Sequence, residues 1–151
     1  MLDLFAGSGA VGLEALSRGA ADVIMVESDP RAARVIRANI EAIGLPGARL
    51  VTDRAERALA RGPDGPPRDF AFADPPYATS ALDIERLLTA LVTSAWLVPG
   101  ALVVVERAAR SGSLSWPPGY IEDRCRRYGE TVLWYGLAQG PDSAREQRAG
   151  D

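Results

Sequence analysis

At 151 residues, with 47% hydrophobic and 25% charged residues, the chain has the size of one globular domain, enough to bury roughly two-thirds of the surface its unfolded form exposes. It contains no histidine, one cysteine (Cys125) and 17 basic residues that are all arginine, which excludes a Ser-His-Asp triad, histidine-bound zinc, an internal disulfide, a P-loop lysine and Schiff-base chemistry. The net charge of −3 argues against tight nonspecific nucleic-acid binding, so such a partner needs a local basic patch or a further segment, and the lack of a signal-like start or a bilayer-length apolar run leaves a cytoplasmic location as the expectation.

Apolar, β-rich runs then alternate with amphipathic ones. "MLDLF" is followed by a helical stretch at 10 to 18, "DVIMVE" by one at 30 to 42, "ARLVT" by one at 54 to 60, and "DFAFAD" by one at 81 to 93 before "ALVVVE". This alternation predicts βαβ units, and so an α/β domain whose mostly parallel sheet is covered by helices on both faces. "GPDGPPR" at 62 to 68 reads as a surface loop before the fourth strand. Residues 120 to 128 and 131 to 138, joined by "GE" at 129 and 130, predict an antiparallel hairpin. From about Gly140 the chain is polar and is expected to be a disordered tail, which leaves residues 1 to 139 as the domain. Asp29 reads as the cap of the second helix, Cys125 as a small strand residue, and Trp96, Trp116 and Trp134 as core or loop anchors.

"DLFAGSGAVG" at 3 to 12 joins the first strand to the first helix, and Gly7, Gly9 and Gly12 match G-x-G-x-x-G, the pattern of a loop that lets a nucleotide approach the backbone. Glu27, in "VESD" at 26 to 29, ends the second strand where a carboxylate can accept both ribose hydroxyls. Asp3 separates two cofactor classes, since it would repel the pyrophosphate of NAD but suits the ammonium and sulfonium of S-adenosylmethionine. Asp53, ending the third strand, can accept the adenine amine, with nearby backbone N–H groups offered to the ring nitrogens. The candidate cofactor contacts are therefore Asp3, Phe5, Ala6, Gly7, Ser8, Gly9, Glu27, Ser28, Asp53 and Arg54.

"FADPPY" at 72 to 77 closes the fourth strand on a carboxylate followed by two prolines and an aromatic ring. An exocyclic base amine is a weak nucleophile because its lone pair is delocalised into the ring. Hydrogen bonds from its protons to the Asp74 carboxylate and the Pro75 carbonyl turn that lone pair toward a methyl donor, so positioning becomes the main catalytic contribution. Pro75 and Pro76 fix the backbone, and Tyr77 offers a ring on which a splayed or flipped base can stack. Arg107 and Arg110, after the fifth strand, are the candidate phosphate contacts, while Arg124, Arg126 and Arg127 read as solvated surface arginines.

"DLFAGSGAVGLEALSRGA" at 3 to 20, "VES" at 26 to 28, "FADPPY" at 72 to 77 and "LVVVE" at 102 to 106 together resemble the class I S-adenosylmethionine-dependent methyltransferases. Most closely they resemble the bacterial RsmD-type 16S ribosomal RNA guanine-N2 methyltransferases, from Met1 to about Ala138. The resemblance implies a Rossmann-like seven-stranded sheet of order 3-2-1-4-5-7-6 with the last strand antiparallel. It also implies methylation of the N2 amine of guanine 966 in 16S rRNA within the assembling small ribosomal subunit; a monomer that needs no metal and no membrane is the accompanying expectation. Members of that family carry an N-terminal extension, often basic, that covers the cofactor and contacts RNA. Met1 falls inside the first strand, so the expectation is either that the segment is missing or that the start is unusual, with RNA affinity and full activity dependent on that segment. Three rivals stay open: a DNA or RNA adenine-N6 or cytosine-N4 methyltransferase, an NAD-binding oxidoreductase with no use for Asp74 to Tyr77, and a cofactor-binding module without activity.

Overall fold

The computed structural model describes residues 1–140, so the expected disordered tail lies, past Gly140, outside the described residues. Along the chain run β1 (Leu2–Asp3), α1 (Ala10–Ser17), β2 (Val23–Glu27), α2 (Pro30–Ile43), β3 (Ala48–Thr52), α3 (Ala55–Ala60), β4 (Arg68–Ala73), α4 (Ala81–Thr93), β5 (Leu97–Ala108), a 3-10 turn (Ala109–Ser111), β6 (Tyr120–Tyr128) and β7 (Thr131–Ala138). They build one seven-stranded sheet in the order β3-β2-β1-β4-β5-β7-β6, as the family resemblance implies. Strands β1 to β5 are parallel, and β7 runs antiparallel to both β5 and β6.

Alternation along each strand divides the core between the two faces of the sheet. Leu2, Leu4, Ile24, Val26, Ala71, Ala73, Val103 and Val105 point to one face and pack with Leu59 of α3 and Ile84, Leu88 and Leu91 of α4. Val23 and Met25 point to the other, against Leu13 and Leu16 of α1 and Ile36 of α2, with Phe70 and Phe72 partly buried beside them. Ile36 and Leu88 have no exposed surface, and each such burial contributes about 1.5–3 kcal/mol. Trp96 is buried and its indole N–H donates to the Leu59 carbonyl at 3.0 Å. Trp134 is buried and Trp116 packs against the core, tilted against Tyr120 at 5.2 Å between ring centroids. All three tryptophans are the anchors their sequence context predicts.

Local chemistry sets the helix ends. Asp29 caps α2 by accepting the Arg31 N–H at 3.1 Å, Pro30 occupies the first turn, and Gly44 ends the helix in the left-handed region at φ 65°. Ser80 caps α4 by accepting the Asp83 N–H at 3.1 Å. β5 begins at Leu97 rather than Ala101, because Leu97 pairs with Arg68 of β4. Pairing with β7 begins only at Leu102, so the missing N–H of Pro99 leaves no gap in that ladder. Among the described residues no helix is long and apolar enough to cross a membrane.

Candidate active site

The carboxyl ends of β1, β2, β4 and β5 lie side by side, and the alternation that sorts the core also aims their acids. Asp3 pairs in register with Met25 on one side and Phe72 on the other, and Phe72 pairs with Val104. Two residues further along each chain come Phe5, Glu27, Asp74 and Glu106, which form a row across the sheet edge on the face opposite Val103 and Val105. This row lines a cavity of about 390 Å³ together with Gly7, Ser28, Pro75, Pro76, Tyr77 and Arg107. A second cavity of about 150 Å³ adjoins it, sharing Phe5, Glu27, Ser28 and Pro76 and reaching Asp53 and Arg54. The two form one groove over the carboxyl edge, where open α/β sheets hold their ligands.

The glycine loop is built for close approach. Gly7 sits at φ 59° and Gly9 at φ 82°, the region that favours glycine, and a Cβ on Gly7 would meet no protein atom within 4 Å. Gly12 serves packing instead, because a Cβ there would lie 2.9 Å from Met25 Cγ and Val23 Cγ1, and its absence lets α1 settle on β2. Glu27 holds the loop, accepting the Gly7 N–H at 2.9 Å on one oxygen and the Asp29 N–H at 3.0 Å on the other. Each oxygen keeps a further lone pair for a hydroxyl. Ala6 is buried and its N–H donates to Val26, while the Ser8 carbonyl accepts the Asn39 side-chain amide at 2.9 Å. Asn39 is not legible as a site residue in the sequence, since nothing within α2 marks it; it meets the loop 31 residues away.

Asp3 lies one layer below the row. It is only 1% exposed, its Oδ1 has no partner, and its pKa is pushed up to about 7, first by burial and then by the charges of Asp74 and Glu27, against a hydrogen bond from the Phe5 N–H. Asp3 lines neither cavity, so an orphaned buried carboxylate here fits a cationic ligand such as the ammonium or sulfonium of S-adenosylmethionine through its charge rather than by contact.

The turn from Asp74 to Ser80 is held at several points. The Thr79 N–H donates to the Pro76 carbonyl at 3.0 Å, and the Arg107 guanidinium donates to the Thr79 carbonyl at 3.0 Å. Among the described residues no backbone bond of this turn falls on the Pro75 carbonyl. Tyr77 is 77% exposed, with the Arg110 guanidinium 5.5 Å from its ring centroid. Partial burial in the cavity pushes the Asp74 pKa up, and burial followed by the Asp74 charge does the same to Glu106.

Some candidates sit differently from the sequence expectation. Asp53 lines the smaller cavity, yet its carboxylate already accepts the Arg61 guanidinium at 2.5 Å and the Arg54 N–H at 2.8 Å, which hold its pKa down. Arg107 lies within β5 and braces the Thr79 turn, so a guanidinium expected to face phosphate is engaged by the protein itself. Glu106 joins the site although its local sequence does not mark it. It reads as the polar end of an apolar strand, and only the β4–β5 register sets it beside Asp74.

A family model described as "Conserved hypothetical protein 95" matches residues 1–136. Ribosomal RNA small subunit methyltransferase D of Escherichia coli (strain K12) is 34% identical over 145 residues, which are 95% of this chain and 71% of that protein. A solved structure of a conserved hypothetical protein from Streptococcus pyogenes matches with a TM-score of 0.80 at 29% identity, covering 91% of this chain and 84% of that one. A SAM dependent methyltransferase from Aquifex aeolicus matches with a TM-score of 0.65 over 91% of this chain and 80% of that one, and at 13% identity the likeness is of fold alone. With its seven-stranded sheet, its carboxyl-edge groove and these matches together, the chain belongs to the Conserved hypothetical protein 95 family, the RsmD family of methyltransferases, and has their Rossmann-like fold.

Proposed function

We propose that this chain transfers a methyl group from S-adenosylmethionine to the N2 amine of a guanine in 16S ribosomal RNA, at position 966 by family resemblance, within the assembling small subunit. The observation that carries this reading is the row of Glu27, Phe5, Asp74 and Glu106, which joins a nucleoside-type acid and an amine-type acid in one groove. The name of the E. coli relative supports ribosomal RNA as the substrate.

Bound in the groove, S-adenosylmethionine supplies a methyl group activated by its sulfonium. Glu27 would hold the ribose hydroxyls with the lone pairs that the loop leaves it, Asp3 would favour the cationic amino-acid end from beneath the groove, and Phe5, Asp53 and Arg54 of the smaller cavity would hold the adenine. Since Asp53 Oδ2 is committed to Arg61, the adenine amine meets at most its remaining lone pairs. On the substrate side, the Asp74 carboxylate and the Pro75 carbonyl accept the two N2 protons and turn the nitrogen lone pair out of the guanine plane. Tyr77 stacks on the base, worth about 1–3 kcal/mol. Asp74 then accepts the surplus proton, and its raised pKa makes the ionised carboxylate a better base than an ordinary aspartate.

The test is incubation of the chain with methyl-labelled S-adenosylmethionine and small subunits lacking the mark, followed by digestion of the RNA to nucleosides. N2-methylguanosine from the wild type, lost in Asp74→Ala while S-adenosylhomocysteine affinity is kept, is the expected result. Labelled N6-methyladenosine or N4-methylcytidine would replace the guanine assignment with the rival amine chemistry.

A further inference from the structure

Glu106 is a half-buried carboxylate that the transfer step just described does not use. It stands on β5 one residue beyond Val105, which pairs with Ala73, and Asp74 stands one residue beyond Ala73. β4 ends at Ala73, so Asp74 is the first residue past a ladder whose backbones lie about 4.8 Å apart, which makes the two acids neighbours at the sheet edge, and both line the larger cavity. Proximity is also electrostatic, because the Asp74 charge makes Glu106 harder to ionise. Two like charges set side by side in a partly desolvated cavity oppose one another unless a ligand brings donors to both.

Among the bases, guanine presents that pair of donors on one edge. Its N1–H and its N2 amine lie next to each other, whereas adenine places a lone pair at N1 beside its amine, and cytosine places one at N3 beside its amine. We infer that Glu106 selects guanine, accepting the N1–H while Asp74 accepts an N2 proton, so that the paired carboxylates read the Watson–Crick edge of the flipped base. This rests on the guanine-N2 reading above and adds the residue that enforces it. A base with a lone pair facing Glu106 meets repulsion and loses a charge-assisted hydrogen bond. Acceptance of the N1 proton also pushes electron density into the ring and toward N2, so one contact serves both selection and reactivity.

The experiment compares guanine with 2-aminopurine, which keeps the N2 amine but carries a lone pair at N1, each placed at the methylated position of reconstituted small subunits. Wild type is expected to methylate guanine with a kcat/KM roughly 10- to 100-fold above 2-aminopurine, the range of a hydrogen bond to a charged group. Glu106→Gln, whose amide can donate to the N1 lone pair, is expected to shrink that ratio about tenfold or more, and Glu106→Asp to restore part of it. The change in this ratio between wild type and variant cancels the intrinsic reactivities of the two bases, and S-adenosylhomocysteine affinity on the same preparations reports an intact fold. An unchanged ratio in a folded Glu106→Gln would overturn the role of Glu106 while leaving N2 methylation standing. A product other than N2-methylguanosine from wild type would overturn the guanine-N2 reading itself, and this inference with it.

Discussion

Asp3 is buried beneath Asp74 and Glu27 with one oxygen unpartnered, and its pKa is pushed up from an ordinary 3.8 to about 7. Because the folded-state value is raised, the stability carried by the protonated form is full below the unfolded pKa and is lost as pH rises through about 7. Asp3→Asn should therefore stabilise the free protein at pH 8 by on the order of a few kcal/mol, with the gain vanishing near pH 4. Thermal unfolding at the two pH values reads this directly, and an equal shift at both would contradict the electrostatic assignment. The same substitution is expected to weaken S-adenosylmethionine binding, since it removes the buried negative charge beneath Asp74 and Glu27. A residue that lowers stability at neutral pH yet suits a cationic ligand has the character of a functional site rather than a core position.

At the scale of elements, the loop between β1 and α1 depends on packing behind it. Gly12→Ala would push a Cβ to 2.9 Å from Met25 and Val23, overpacking the α1–β2 interface by about 1–3 kcal/mol. The expected result is a lowered Tm together with weaker cofactor binding, because α1 carries the loop; an unchanged Tm would show that the interface yields freely. The sequence pattern marks β3, α4, β6 and β7 at their observed bounds, since each is a clear periodic run closed by turn residues or a cap. β1 is shorter than its apolar run suggests, because only Leu2 and Asp3 ladder on both sides before the chain bends into the loop. The glycine loop, Glu27 and the Asp74 turn are legible because each is a local motif. Glu106, Asn39 and the Arg107 brace are not, because their roles arise from strand register and from contacts across 31 and 28 residues.

Over the whole molecule, each parallel strand delivers a carboxylate to the same edge: Asp3 at β1, Glu27 at β2, Asp53 after β3, Asp74 after β4 and Glu106 on β5. That edge suits a cation and disfavours a phosphate backbone, so the proposed RNA substrate is expected to be met by arginines around the rim. Arg110 lies beside the exposed Tyr77 and is the proposed RNA contact, whereas the Arg107 guanidinium is engaged by the Thr79 carbonyl. Arg110→Ala should reduce the slope of log affinity against log salt for small subunits by about 1; a slope equal to wild type would remove Arg110 from the RNA contacts.

Everything proposed for the groove rests on its taking an adenosyl amino-acid cofactor, and the direct measurement is isothermal titration with S-adenosylhomocysteine and, in parallel, with NAD. Saturable binding of S-adenosylhomocysteine that weakens in Glu27→Ala, with no binding of NAD, is the expected result. Binding of NAD alone, or S-adenosylhomocysteine binding that Glu27→Ala leaves untouched, would contradict it.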